Sequence, residues 1–139
     1  MDFNNLKEMV PTKVQVRYVE TDQMGLVYHA NYLIYFDIAR TDWIEQIWKP
    51  YSELEDAGHF MVVVDAQLKF KTPAKFDDVL TIVVTPVKWN KVRLSLEYKI
   101  VCDGDSPYTV CTGSTSHCLV DRNGMVQRMP KEFFDILSG

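Results

Sequence analysis

The sequence predicts an α+β fold, because one long helical segment is followed by four segments of strand character. Residues 30–48 contain neither Gly nor Pro and are rich in Tyr, Leu, Ile, Phe and Trp. From residue 64 onward, apolar residues recur at every second position in 64–71 and 92–100, which is the period of a β-strand. One buried helix beside a largely antiparallel sheet is an α+β arrangement.

The helical segment from Ala30 to Trp48 is expected to be buried, since its first half is apolar on nearly all sides. Asn31 is the expected N-cap, and Pro50 should stop the helix soon after Trp48. Pro130 is expected to open a short amphipathic helix near the C-terminus.

Five strands are expected, the first over residues 14–18 and the others over 64–71, 79–87, 92–100 and 108–120. Short connections join the last four, so these strands should be largely antiparallel. The strand at 79–87 is apolar on both faces, which suits burial by a partner subunit. Residues 1–139 are expected to form a single domain, since folding units usually span about 100–200 residues.

Charge and cysteine content limit the possible partners and compartment. The net charge of −4 provides no overall basic field for nucleic acid. The cysteines number three and form no C-x-x-C pair, which favours reduced core thiols, as in a cytosolic protein. No signal peptide is recognisable, and no apolar run approaches the roughly 18 residues that cross a bilayer. We expect a cytoplasmic protein without membrane or nucleic-acid partners.

Residues 16–32, VRYVETDQMGLVYHANY, form the most informative stretch of the chain. They resemble the signature of hotdog-fold acyl-CoA thioesterases of the 4-hydroxybenzoyl-CoA thioesterase type. In that family a strand ends in Y-x-x-T-D, a Gly follows, and V-Y-H-x-N-Y opens a central helix. The segments FKTPAKFDD at 70–78 and VDRNGMVQRMP at 120–130 match as well. The resemblance therefore spans nearly the whole chain.

The resemblance implies a hotdog fold, in which a five-stranded antiparallel sheet wraps a long central helix. It also implies a homodimer or homotetramer whose active sites lie between subunits. The implied reaction is hydrolysis of an acyl-CoA substrate, with no cofactor and no metal.

Asp22 falls on the catalytic carboxylate of the family, which either activates water or attacks the thioester. Its position alone would favour an ordinary turn or cap aspartate. The resemblance also places an oxyanion-binding backbone N–H at His29, just before the helix, where unpaired N–H groups and a positive dipole end are expected. The His29 side chain either positions the thioester or water, or is a neutral histidine bonded in a turn.

Further residues around Asp22 and His29, and a basic hairpin, are also expected to belong to the site. Tyr28 is expected among the catalytic residues, although it could equally be a core aromatic or a wall of the pocket. Gly25 and Asn31 are expected to contribute to substrate binding, with a plain helix cap as the alternative for Asn31. Coenzyme A carries phosphates, and a basic hairpin is expected to bind them. Its residues are Lys88, Lys91 and Arg93. The alternative for these residues is a solvated charged hairpin.

Other chemistries find little support in the sequence. His59 and His117 have no partners at metal-ligand spacing, and no G-x-S-x-G elbow of a serine hydrolase is present. Two alternatives stay open: a hotdog-fold hydratase or dehydratase, and a non-catalytic acyl-CoA-binding module. The acyl group is expected to be a small aryl or a short- or medium-chain group. The candidate pocket aromatics are Tyr28, Tyr32, Phe36 and Phe60.

Overall fold

The computed structural model describes residues 10–139. Its helices are a 3-10 turn at Tyr18–Glu20, α1 at Asn31–Ile47, α2 at Tyr51–Asp56 and α3 at Lys131–Ser138. Its strands are β1 (Thr12–Gln15), β2 (Phe60–Phe70), β3 (Val79–Trp89), β4 (Arg93–Cys102), β5 (Tyr108–Val120) and β6 (Val126–Gln127). The predicted α+β class is confirmed.

All strands belong to one antiparallel sheet, in the order β1-β3-β4-β5-β2, with β6 paired to β5. The sheet thus contains the five expected strands and one two-residue strand that the sequence analysis missed. Strand β2 is an end of this order and pairs only with β5 among the strands described. A bulge interrupts that pairing between Val63 and Asp65.

Element boundaries differ from the expected ones where local contacts override the apolar pattern. Strand β1 ends at Gln15, because the chain turns into the 3-10 helix that begins at Tyr18. Strand β2 begins at Phe60 rather than at residue 64, since Phe60 already pairs with Val120. The short helix α2, which follows Pro50, was not anticipated.

Helix α1 packs its buried side against the inner face of the sheet. The Phe36 ring is stacked on the Tyr98 ring, with 4.2 Å between centroids and 12° between planes. This approach requires a glycine at position 113 of β5. An added Cβ there would lie 2.6 Å from Cε2 of Phe36 and 2.5 Å from the carbonyl oxygen of Gln67. The position of α1 over the sheet is therefore set by the stacking of Phe36 on Tyr98, and the absence of a side chain at Gly113 allows this close approach.

The expectation that the first half of α1 is buried nearly all round is wrong. Leu33, Ile34 and Ile38 are exposed and give the helix an apolar outer face. The expectation that Asn31 caps the helix is also wrong. Ala30 occupies the N-cap position without a side-chain cap, and Asn31 is the first helical residue.

Within residues 10–139, no helix combines the length and apolarity needed to cross a membrane. The cysteines are free and lie on strands, with Cys102 and Cys111 buried and Cys118 half-buried. Burial raises the pKa of the Cys111 thiol to about 11, a value that disfavours the reactive thiolate. Cys102 and Cys111 are thus small core residues, as expected, whereas Cys118 lies outside the buried core.

Candidate active site

The loop that carries Asp22 is a closed hairpin-like turn before α1. Thr21 pairs with Val27, and the Asp22 N–H donates to the Leu26 carbonyl oxygen at 2.7 Å. The Gly25 N–H donates to the Asp22 carbonyl oxygen at 3.0 Å, and Gly25 has a φ of 77°. This left-handed conformation explains the glycine, because a side chain would strain the backbone there.

The Asp22 carboxylate is exposed and uses only one of its oxygens within the loop. Its Oδ1 accepts the N–H groups of Met24 at 2.8 Å and Leu26 at 3.2 Å. Its Oδ2 makes no hydrogen bond to any residue of the described range 10–139. Asp22 thus fills the turn role that its position suggests, and it also keeps one carboxylate oxygen available to a ligand or water.

Two backbone N–H groups at the start of α1 have no hydrogen-bond partner among residues 10–139. The Asn31 N–H donates to the Tyr28 carbonyl oxygen, and the Tyr28 N–H donates to the Glu20 carbonyl oxygen. Between them, the N–H groups of His29 and Ala30 have no hydrogen-bond partner in the part of the chain that the structure describes. Both residues are exposed. Such groups at a helix N-terminus are suited to receive a negatively charged oxygen.

A second carboxylate, Glu20, lies two residues before Asp22 and was missed by the sequence analysis. Glu20 is 8% exposed, and its carboxylate accepts hydrogen bonds from Arg17 and from the Tyr35 hydroxyl. Burial would raise the pKa of Glu20, but the hydrogen bonds from Arg17 and Tyr35 and the Arg17 charge outweigh it and hold the pKa below its usual value. In the sequence, the only feature that could have pointed to Glu20 is its position directly before Thr21 and Asp22.

Aromatic rings surround the His29 side chain. The Tyr28 ring lies 4.4 Å from the His29 ring, and the Phe70 ring lies edge-on to it at 6.2 Å. Phe70 also contacts the Tyr32 ring at 5.9 Å. Tyr28 and Phe70 are about half exposed, whereas Tyr32 is buried. Phe70, which the sequence analysis did not name as a site residue, forms with Tyr28 an exposed aromatic wall beside the unpaired N–H groups.

Of the four aromatics considered for an acyl pocket, only Tyr28 is exposed at this site. Tyr32 is 3% exposed and Phe36 is fully buried, so both belong to the core of the chain. Phe60 lies at the opposite end of β2 from Phe70 and packs against Arg122.

The loop at 73–78 supports the Asp22 loop from behind. The Val27 N–H donates to the Ala74 carbonyl oxygen at 2.9 Å, and the Phe76 N–H donates to the Gly25 carbonyl oxygen at 3.1 Å. The Tyr32 hydroxyl accepts the Ala74 N–H at 3.2 Å, which ties the same loop to α1. The FKTPAKFDD segment thus has a structural role at the site.

Asn31 is committed to a structural contact. Its side-chain amide donates to the Glu20 carbonyl oxygen at 2.8 Å, which fixes the first turn of α1 to the chain before Asp22. The side chain holds the site together, and its expected contact with substrate stays a prediction.

The structure does not bring the basic hairpin to Asp22 within one chain. Lys88, Lys91 and Arg93 are exposed, and Arg93 pairs with Cys118 of β5. Phe70, beside His29, belongs to β2 and pairs with Cys111, which lies nearer the other end of β5. Seven residues of β5 separate these two levels, which corresponds to about 24 Å.

One concavity of the described chain lies outside this site. It has a volume of about 570 Å³ and lies on the outer face of the sheet, where Lys69, Thr112 and Lys99 share one row across β2, β5 and β4. We place the candidate site at Asp22 instead, because the free carboxylate oxygen and unpaired N–H groups lie there. Within residues 10–139, no group of three His, Cys, Asp or Glu side chains is arranged to hold a metal ion.

A comparison with known families decides the affiliation of the chain. Residues 16–137, which include every element from the 3-10 turn to α3 apart from its last residue, match the family described as the thioesterase-like superfamily. The chain belongs to this family. Its antiparallel sheet and α+β class are those of a hotdog-type fold.

The proteins to which this chain is similar include some that are named as acyl-CoA thioesterases. The acyl-CoA thioesterase YbgC of Helicobacter pylori is 29% identical over 133 residues, covering 91% of this chain and 98% of that protein. A DHNA-CoA thioesterase from Staphylococcus aureus superposes with a TM-score of 0.87 at 25% identity, covering 93% and 88% of the two chains. The hypothetical protein TT1821 from Thermus thermophilus gives 0.86 at 32% identity, covering 94% and 98%.

Proposed function

We propose that the protein is an acyl-CoA thioesterase, which hydrolyses the thioester of an acyl-CoA to a free acid and coenzyme A. The observation that carries the proposal is the combination of chemical groups around one closed loop. Within residues 10–139, Oδ2 of Asp22 and the N–H groups of His29 and Ala30 at the start of α1 have no hydrogen-bond partner. The similarity to named acyl-CoA thioesterases supports the same reaction.

The unpaired N–H groups would bind the carbonyl oxygen of the thioester and stabilise the negative charge that develops there. Asp22 then acts in one of two ways. As a base, it removes a proton from water, and the hydroxide attacks the carbonyl carbon. As a nucleophile, it attacks that carbon to form an anhydride, which water hydrolyses. In both routes the carbon–sulfur bond breaks, and the thiolate of coenzyme A leaves and takes up a proton.

The side chains around Asp22 support narrower roles. His29 would position the thioester or the attacking water, and Tyr28 would line the pocket beside Gly25. The exposed rings of Tyr28 and Phe70 suit an apolar group, so we propose a small aryl or a short- to medium-chain acyl substrate. An aryl substrate would agree with the resemblance to the 4-hydroxybenzoyl-CoA thioesterase type.

We further propose that residues 1–139 act as one cytoplasmic domain that assembles into a homodimer or homotetramer. Strand β2 is an edge strand whose Val62, Val63 and Val64 are exposed, and such edges favour pairing with another strand. Each subunit of the assembly would then contain one long helix wrapped by its own sheet. Lys88, Lys91 and Arg93 would reach the Asp22 site of the partner subunit and bind the phosphates of coenzyme A there.

A panel of acyl-CoA substrates with detection of the free thiol tests the reaction. The panel should include aryl, short-chain and medium-chain thioesters, with a chelator present because the proposed oxyanion donors are backbone groups. Thiol release above the rate of a boiled control supports the proposal. Hydration of an enoyl-CoA without thiol release, or binding of acyl-CoA without any reaction, would contradict it.

A further inference from the structure

We infer that Glu20 is a positioning residue that sets the distance between Asp22 and the unpaired N–H groups of α1, an inference that rests on the proposed function. Glu20 is one of few buried polar residues of the described chain, together with Thr115 and His117. Its carboxylate binds Arg17 and the Tyr35 hydroxyl, and its backbone carbonyl group binds the first residue of α1 and a residue shortly before it.

The carboxylate of Glu20 is fully engaged. Its Oε1 accepts the Arg17 N–H at 2.8 Å and the Tyr35 hydroxyl at 3.0 Å. Its Oε2 accepts Nε and Nη2 of Arg17 at 3.2 and 3.0 Å. Tyr35 is 1% exposed and lies one turn into α1, so the Glu20 side chain ties the 3-10 turn to the body of the helix.

The carbonyl oxygen of Glu20 is engaged as well. It accepts the Tyr28 N–H at 2.9 Å and Nδ2 of Asn31 at 2.8 Å. These two donors flank His29 and Ala30, whose N–H groups are unpaired within the described residues. One residue therefore holds the helix start from both sides, while Asp22 follows two positions later along the chain.

This arrangement predicts a specific kinetic effect. A misplacement of about 1 Å between a catalytic group and the reacting carbon can lower a rate by about 100-fold. A loosened Glu20 would change the spacing of the carboxylate and the N–H groups, while the exposed substrate-binding surfaces would stay in place. The loss should therefore appear in kcat, and KM should change much less.

The test compares Glu20→Gln and Glu20→Ala with Glu45→Gln, a control at an exposed carboxylate on α1. We expect kcat to fall by about 10- to 100-fold in Glu20→Ala, less in Glu20→Gln, which keeps an oxygen acceptor, and not at all in Glu45→Gln. KM should stay within about threefold in all variants. The inference would be overturned if folded Glu20→Ala had a normal kcat. It would also be overturned if kcat/KM fell only because KM rose.

A double-mutant cycle separates positioning from general stability. In the Asp22→Asn background, Glu20→Gln should cost little further rate, because the group that it positions is already inactive. A full additive loss would show that Glu20 acts elsewhere and would overturn the inference.

Amide hydrogen exchange provides a readout that does not depend on the reaction. Glu20→Gln should accelerate exchange in residues 21–31 and leave β4 and β5 unchanged. Unchanged exchange in 21–31 would also overturn the inference. If the wild-type protein released no thiol from any acyl-CoA, the proposed function would fail, and this exchange experiment would still decide whether Glu20 fixes the loop.

Discussion

The Thr115 hydroxyl oxygen lies 2.6 Å from Nε2 of His117, inside the core beneath α1. The Tyr98 hydroxyl lies 2.6 Å from the same Thr115 oxygen, and Nη1 of Arg40 donates to Tyr98 at 3.1 Å. Because Arg40 can only donate, the Tyr98 hydroxyl oxygen is the acceptor of that bond, and Tyr98, Thr115 and His117 form one continuous polar network behind it. His117 is 1% exposed, so its imidazole ring is buried together with this network.

This arrangement predicts a loss of stability at mildly acidic pH. Burial above all, and the positive charge of Arg40, lower the pKa of His117 to about 3 against a smaller opposite effect of the Val62 backbone. In the unfolded chain the pKa is about 6.5, so the unfolded state takes up a proton first as the pH falls. The contribution of His117 to stability is therefore fully present above about pH 6.5 and is lost between about pH 6.5 and 3.

Urea unfolding between pH 7.5 and pH 4.5 checks this prediction. The free energy of unfolding should fall by up to about 1.4 kcal/mol per pH unit through His117 alone. His117→Asn should flatten the pH dependence, whatever its own stability at pH 7.5. An equal slope in the wild-type protein and in the variant would contradict the neutral buried histidine.

Asp22→Asn should lower the turnover of acyl-CoA by at least about 100-fold, the scale expected for loss of a positioned base or nucleophile. Asparagine keeps an oxygen that can accept the Met24 and Leu26 N–H groups, so the loop should stay closed. Asp105→Asn, at an exposed turn position, is the matched control and should keep the wild-type rate. A folded Asp22→Asn protein with near-normal turnover would refute the assignment.

Gly113→Ala should destabilise the protein by about 1–3 kcal/mol, because the new methyl group would overlap with Phe36 and with the Gln67 backbone. The free energy of unfolding in urea measures the loss, with Ser114→Ala as the neighbouring control. Phe36→Leu in the Gly113→Ala background should recover part of the stability, since the two changes are coupled in space. Additive losses would show that the helix does not depend on this contact.

Mixed dimers test whether the basic hairpin serves the partner's site. One chain carries Asp22→Asn, and the other carries Lys88, Lys91 and Arg93 all replaced by Ala. In a mixed dimer one site would combine an intact Asp22 with an intact hairpin, so purified mixed dimers should regain about half the wild-type activity at low substrate. Activity no higher than the mean of the two variant homodimers would contradict the shared site.

The fold class was predictable because its signals are local. The alternation in β4 and the uninterrupted apolar run of α1 each specify an element without knowledge of its neighbours. The outer face of α1 was not predictable in this way, because apolar residues such as Ile34 and Ile38 look the same in a sequence whether they face the core or solvent.

The site was predictable only in part. The turn containing Asp22 and Gly25 follows from adjacent residues, and the family resemblance singled it out. Glu20 and Phe70 were missed because their roles arise from contacts across the fold. Glu20 binds Tyr35, which lies 15 positions further along the chain, and Phe70 at the end of β2 contacts His29.

The pairing of β2 with β5 has a consequence for synthesis on the ribosome. Phe60 pairs with Val120 and Phe70 with Cys111, so the partners are 60 and 41 residues apart in the chain. At about 5–20 residues per second, β2 emerges about 2–12 s before the strand that it needs. During that time its Val62, Val63 and Val64 are without their neighbour strand. The newly made chain is therefore most open to mispairing, and to holding by chaperones, before residue 120 has left the ribosome.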